Sequence, residues 1–289
     1  GLPLAQSAAE IEAAILETVR ANPGASSVKI SAYLPSIEVD VVPADERVSL
    51  AVAAYDSARD VLAPKGIRGP RKPTLRVWIE KELRNRREDI VPPQAKVAAN
   101  YVSPMVAKWR AKRRGYDEIL LLDERGCVAE GPTTNVFLVD RKGVLRTPGE
   151  RHVLLGVTRS SMLEIAKHDG IPVSEADVRP EDLFEASEVF LTGTTAVVWP
   201  VASVDDHRIG SGEPGPLSQR LKQRFEAVSA GRDPDSIPVT MYCFGSPDAQ
   251  KLEQYRELGI VRTVLSAPDE PDAHHRFLDR VQPLVDQYR

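Results

Sequence analysis

The chain has 289 residues, 42% hydrophobic and 28% charged, the balance of a soluble globular protein long enough to bury a core without staples; at about 150 residues per domain, two domains are expected. Its 38 Lys and Arg against 42 Asp and Glu leave a net charge of −4, which gives no global attraction to nucleic acid or to an anionic membrane. No apolar run approaches the roughly 20 residues of a membrane span, residues 1–8 lack the pattern of a secretory signal, and the two isolated cysteines, Cys127 and Cys243, fit a reducing compartment, so a cytoplasmic protein is expected.

In chain order, Ser7 and Glu10 form a capping box ahead of Ile11, Ile15, Leu16 and Val19 at helical spacing, and Asn22, Pro23 and Gly24 end that helix. Residues 28–33 alternate as a strand, 37–42 offer a second and 48–55 a third. Residues 63–73 read as a basic, Pro- and Gly-rich loop, 75–79 as a short strand and 84–89 as a solvated charged stretch. The pattern changes at Pro92-Pro93. Residues 97–113 read as a helix whose basic face (Lys108, Arg110, Lys112, Arg113, then Arg114) is solvated rather than a nucleic-acid patch at this net charge. Strands follow at 118–123 and 127–129, then a hairpin of 136–140 and 144–147. A helix at 158–167, a strand at 173–178 and a short helix at 180–186 come next. Strands 189–191 and 196–201 are joined by Thr192-Gly193-Thr194-Thr195, and a helix spans 217–228. Beyond Gly231-Arg232-Asp233-Pro234, a β-α-β-α run (239–244, 248–258, 261–265, 274–288) reads as a parallel α/β unit.

The five histidines make no metal-binding pair, so no metal is expected. Gly210, Gly212 and Gly215 spell G-x-G-x-x-G, but after a hairpin and with a Pro inside, which reads as a plain loop. Lys96 stands among small and apolar neighbours that suggest a partly buried amine, and burial makes an amine nucleophilic. From the segment alone, a lysine at a helix start with its head in water is the plainer reading; Lys29 is a rival. Leu154-Leu155-Gly156-Val157-Thr158-Arg159 leads into a helix, and Thr192-Gly193-Thr194-Thr195 is a hydroxyl-rich turn; both offer donors to an anion, and both are also ordinary capping and turn chemistry. Glu130 follows an apolar strand, either half-buried and in need of a cationic partner or in solvent. An amine, an anion cradle and a carboxylate together suit pyridoxal phosphate.

The ordered set Lys96…Asn100-Tyr101, Gly115-Tyr116-Asp117-Glu118, Glu130-x4-Asn135-Val136-Phe137, Thr147-Pro148, Leu154-x-Gly156-Val157-Thr158-Arg159 and Thr192-Gly193-Thr194 resembles the class IV aminotransferases, the fold-type IV pyridoxal phosphate enzymes, and among them the branched-chain members. The resemblance, which runs over roughly residues 1–232, implies a mixed α+β and α/β fold with an incomplete small domain at 1–91 and a larger β-rich cofactor-binding domain at 92–232, to which the βαβα run at 233–289 is an appendage. It implies a homodimer that transfers an amino group between an amino acid, branched-chain type favoured, and a 2-oxo acid. By the same resemblance, Lys96 bonds the cofactor and shuttles the substrate proton, Tyr101 hydrogen-bonds the phenolate oxygen, and Glu130 keeps the ring nitrogen protonated. Leu154 packs on the ring, Val157, Thr158 and Thr194 contact the phosphate, and Thr195 and Tyr33 meet the substrate carboxylate.

Three positions depart from the family pattern. Pro132 replaces a small residue, Leu34-Pro35 replaces an arginine after Tyr33, and the first strands, with a phosphate-binding arginine, find no counterpart. An aminodeoxychorismate-lyase-like enzyme and an impaired truncated or fused fragment are therefore the alternatives. Residues 233–289 resemble the C-terminal end of luciferase-like flavin or deazaflavin monooxygenases, too short for a barrel of about 250 residues; a flavin oxidoreductase is the weakest reading.

Overall fold

The computed structural model describes residues 4–36, 42–65, 72–84, 90–230, 240–243, 249, 252–253, 262–265, 277, 279 and 281–283. These fall into two compact units, a small one before Lys72 and a large one containing residues 72–230.

In the small unit, helix α1 (Ala8–Ala21) starts at the expected capping box: Ser7 Oγ accepts the Glu10 N–H and Glu10 Oε2 accepts the Ser7 N–H at 2.7 Å. Strand β1 (Ser27–Tyr33) pairs antiparallel with β2 (Ser49–Tyr55), Ile30 opposite Val52. A π-helical turn, Ser57–Leu62, and a 3-10 turn, Ala63–Lys65, follow. Most of the strand expected at 37–42 and of the loop expected at 63–73 lies outside the described residues.

The large unit is a mixed eight-stranded sheet with β3 (Leu75–Arg84), β4 (Glu118–Leu122), β5 (Asn135–Val139), β6 (Leu145–Thr147), β7 (Val173–Glu175), β8 (Glu188–Gly193), β9 (Val197–Val204) and β10 (His207–Arg208). Its order is β4-β3-β9-β8-β5-β6-β7, with β10 on β9. β3 therefore belongs to this sheet, and the units divide at 71/72, ahead of the composition change at Pro92-Pro93. β3 also outruns the short strand expected at 75–79. Glu80 folds its Oε1 back onto the N–H groups of Glu82 and Leu83, and the pairing with β4 slips there as a bulge and resumes at Arg84. Residues 85–89 lie outside the described residues, and the strand expected at 173–178 stops at Glu175.

The sheet curls until its β4 end comes back toward β5. Residues 127–130 bond back along β4, with Ala129 N–H on the Leu121 carbonyl and Leu121 N–H on the Glu130 carbonyl, while Glu130 bridges Asn135 of β5. Alternate side chains then face two cores. Leu120, Leu122, Val136, Leu138, Val189 and Leu191 fill the inside. Phe137, Val139 and Phe190 face outward under α3 (Val157–His168) and α5 (Pro216–Ala230), and Ile119 and Leu121 pack under α2 (Val102–Arg113). Both faces are covered, which is why β4 and β5 are continuous apolar runs without polar alternation. Helix α4 (Pro180–Glu185) lies between β7 and β8 in sequence.

The glycine-rich segment 210–215 is a loop, as expected. A Cβ at Gly215 would lie 2.0 Å from the Glu188 side chain, whose buried carboxylate caps α5 by accepting the N–H groups of Leu217 and Ser218. In the tail, β11 (Thr240–Cys243) and β12 (Arg262–Leu265) pair in parallel, as expected, and Phe277 and Val281, four apart on helical residues, are buried.

Candidate active site

Glu130 sits where the sheet closes. After β4, Asp123 Oδ1 collects the N–H groups of Arg125 and Cys127, and Gly126 turns the chain at φ +80°. The strand segment then runs to Glu130, and a tight tip, with Gly131 N–H on the Thr134 carbonyl, leads into β5. A Cβ at Gly131 would meet the Thr134 hydroxyl and lie 3.3 Å from the Ile119 carbonyl, so any side chain there must displace Thr134. Pro132, the departure from the family pattern, is buried beside it. Glu130 is 2% exposed. A carboxylate so buried is costly unless hydrogen-bonded, and its Oε2 accepts the Leu154 N–H at 3.0 Å and the Asn135 side-chain amide at 3.4 Å. Asn135 also donates to the Leu154 carbonyl at 2.8 Å, which fixes Leu154 from both sides. The solvent-exposed alternative for Glu130 is thereby corrected.

Leu154 leads directly into α3. Its N-cap is Gly156, and no side chain caps the first N–H groups, which leaves the positive end of the helix open to an anion. A Cβ at Gly156 would lie 2.2 Å from Asn135 Oδ1, so only glycine lets α3 start this close to the Glu130 network. Val157 is exposed at the first position and the Thr158 side chain is buried at the second. Arg159, 1% exposed, donates to the Pro148 carbonyl at 3.0 Å and pairs with Glu175 at 2.8 Å, which anchors the first turn. Sequence reasoning gives Arg159 no role, because both partners are remote in the chain.

Lys96 lies in a tight turn. Ala95 N–H bonds the Pro92 carbonyl, Val97 N–H the Ala95 carbonyl, and the Asn100 side-chain amide reaches the same Ala95 carbonyl at 3.2 Å. The partly buried amine is corrected here: Lys96 is exposed, and so are its neighbours Val97, Ala98 and Ala99, because the turn runs over the surface. The expected helix 97–113 begins as a 3-10 turn, Ala98–Tyr101, before α2, and half-buried Tyr101 is the N-cap of α2. Gln94, two residues before Lys96, donates to the carbonyls of Glu150 and Arg151.

At the end of β8, Thr192 lies opposite Asn135 and is 1% exposed, and its buried hydroxyl makes no hydrogen bond. Thr194 and Thr195 are exposed in the following turn. Val197 closes that turn at φ +57°, the left-handed region that a β-branched residue seldom adopts. The structure thus links Glu130 and Leu154 through Asn135, with Gly156 at the start of α3 close against it, the strand end at Thr192 opposite it and the Lys96 turn tied to the 150–151 backbone. Tyr33 lies at the end of β1 in the small unit, 50% exposed. Burial pushes the thiol pKa of Cys127, just after the Gly126 turn, up.

Residues 1–204 match the family model for amino-transferase class IV. A probable branched-chain-amino-acid aminotransferase of Aquifex aeolicus is 34% identical over 200 residues, 68% of this chain and 61% of that protein. The branched-chain amino acid aminotransferase of Thermobaculum terrenum, in its PLP-form, superposes with a TM-score of 0.69 at 30% identity, covering 80% of this chain and 74% of that one. The branched-chain aminotransferase of Thermoproteus uzoniensis with norvaline gives 0.70 at 30% identity, over 81% and 75% of the two chains. The chain spans about half to three fifths of the length of the first curated relatives it matches. A family match over most of the chain and a fold shared with solved members lead to one conclusion: this chain belongs to the class IV aminotransferases.

Proposed function

We propose that the chain is a pyridoxal-phosphate-dependent aminotransferase that moves an amino group between an amino acid, branched-chain in type, and a 2-oxo acid. The observation that carries this reading is the buried Glu130 carboxylate, fixed by the Leu154 N–H and Asn135 beside the open N-terminus of α3. The donor set fits the cofactor. A buried acid suits a protonated pyridine nitrogen, and uncapped helix amides with the Thr158 hydroxyl suit a phosphate. The branched-chain preference rests on the names of the relatives.

Bound there, pyridoxal phosphate supplies an aldehyde that bonds an amine and a ring that takes up the electron pair left when the substrate Cα loses its proton. Lys96 Nζ would hold the cofactor and would carry the proton of the substrate Cα. Glu130 stabilises the positive ring nitrogen, Tyr101 donates to the phenolate oxygen and Leu154 packs on the ring. Val157, Thr158 and Thr194 would bind the phosphate, and the Thr195 backbone N–H would orient the substrate carboxylate. We propose a cytoplasmic homodimer. The tail 233–289 is a separate α/β appendage that resembles luciferase-like monooxygenases. Among the described residues, no helix is long and apolar enough to cross a membrane.

The test is borohydride reduction of the protein with pyridoxal phosphate, followed by peptide mapping, together with glutamate formation from leucine and 2-oxoglutarate. A label on Lys96 with turnover is expected. A label on another lysine, or none on a folded protein, removes the proposal.

A further inference from the structure

We infer that Gln94 is a positioning residue for the Lys96 amine: its carboxamide fixes the Lys96 turn to the loop that carries Leu154 and the start of α3. This inference rests on the role proposed for Lys96 above. Gln94 Nε2 donates to the Glu150 carbonyl at 3.0 Å and to the Arg151 carbonyl at 2.9 Å. Both amide hydrogens are used, and the flipped amide would set Oε1 against two carbonyl oxygens, so the chemistry fixes its orientation. The acceptors lie in the 3-10 turn Glu150–His152, whose carbonyls find no partner inside so short a turn.

The loop that receives Gln94 is itself anchored to the large unit. Arg159 holds its Pro148 carbonyl, Arg125 Nη2 lies 3.1 Å from His152 Nε2, and Glu130 accepts its Leu154 N–H. Gln94 therefore grips a frame that ends at the ring-nitrogen acid. On its own side, Gln94 is two residues from Lys96, in a turn that belongs to no strand. The Lys96 side chain is exposed, so packing does not set the place of the amine at the end of its four-carbon stem. Backbone anchoring at Gln94 and Asn100 narrows where the amine can reach, and a misplacement of about 1 Å can cost roughly a hundredfold in rate.

The experiment compares the wild-type protein with Gln94→Met, which keeps the length without donors, and Gln94→Asn, which keeps the donors at shorter reach. The readouts are affinity for pyridoxal phosphate by fluorescence, the pH midpoint of the bound cofactor's visible absorption, and kcat and KM for leucine. Loss of two neutral hydrogen bonds is expected to weaken cofactor binding about tenfold in Gln94→Met. The pH midpoint should move and kcat should fall with KM unchanged, while Gln94→Asn should retain more of each. Wild-type affinity and midpoint in Gln94→Met, with Lys96 labelled in the wild-type protein, overturn the inference. If Gln94→Met does not fold, Gln94→Glu, which keeps the length but sets an acceptor against the two carbonyls, is read instead: wild-type affinity and midpoint overturn the inference, and a shifted midpoint supports it. If borohydride leaves wild-type Lys96 unlabelled, it is the proposed function that fails. Hydrogen exchange without ligand then decides the tether: faster exchange at the Val97 and Leu154 amides of Gln94→Met supports it, and unchanged exchange overturns it.

Discussion

The acid side and the amine side of the candidate site are built by opposite means. Glu130 is part of the sheet: its backbone is a ladder partner of Leu121, its side chain is sealed from water, and Asn135, Leu154 and Gly156 close around it. Lys96 belongs to no strand or helix, and side-chain amides from Gln94 and Asn100 brace its surface turn. On the roles proposed above, the group that would hold one charge in one place is set in the fold, and the group that would carry a proton is set on a tethered turn. Changes on the acid side should therefore disturb fold and chemistry together, and changes on the amine side should disturb chemistry more than stability.

The largest effect that could break this contrast is expected from Lys96→Ala. Turnover should fall by at least about a thousandfold while the melting temperature stays at the wild-type value, read by glutamate formation and calorimetry. Glu130→Gln keeps the shape and removes the charge; its turnover should drop about a hundredfold, the scale for one electrostatic partner of a developing charge, with the pH dependence of the bound cofactor's absorption altered. Gly156→Ala tests the fit around Asn135. Its Cβ must push Asn135 or the start of α3 aside, and overpacking of this kind costs about 1–3 kcal/mol, measured as a lower urea midpoint together with weaker cofactor binding. Asn100→Ala sharpens the amine side: loss of one hydrogen bond should cost about 1 kcal/mol, with a larger proportional fall in kcat than in stability.

The smallest effect concerns the surface carboxylates. The Arg125 fork holds Asp177 below the usual carboxylate range, as the His168, Arg220 and Arg224 contacts do for Asp169 and the Tyr116 hydroxyl and Arg76 do for Asp206. A lowered folded pKa gives stability that is fully present above the unfolded value, about 4, and lost as pH falls through the folded value. The urea midpoint should hold steady from neutral pH to about 5 and decline below it, and Arg125→Ala should flatten that decline.

Much of this architecture is legible in the residues, for reasons that differ by element. The Ser7–Glu10 box and the apolar runs of β4 and β5 are local signals, and the structure keeps them. The far end of β3 is not legible, because Glu80 to Arg84 are nearly all polar and a bulge holds them in the strand. The tip at Glu130 and the start of α3 are legible as motifs, but the burial of Glu130 is not, because it arises when residues far apart close the sheet. The exposure of Lys96 escapes the sequence for the same reason: small neighbours bury a side chain only if something packs over them. Gln94 and Arg159 carry no sequence signal, since each acts on a backbone carbonyl remote in the chain.

The seam of the sheet carries a further implication. Because one residue both zips β4 toward β5 and presents the acid, any shear of the curled sheet becomes a change in the electronic environment at that acid. Thermal softening of this unit should thus register first as a colour change of a bound chromophore, well before the chain itself melts.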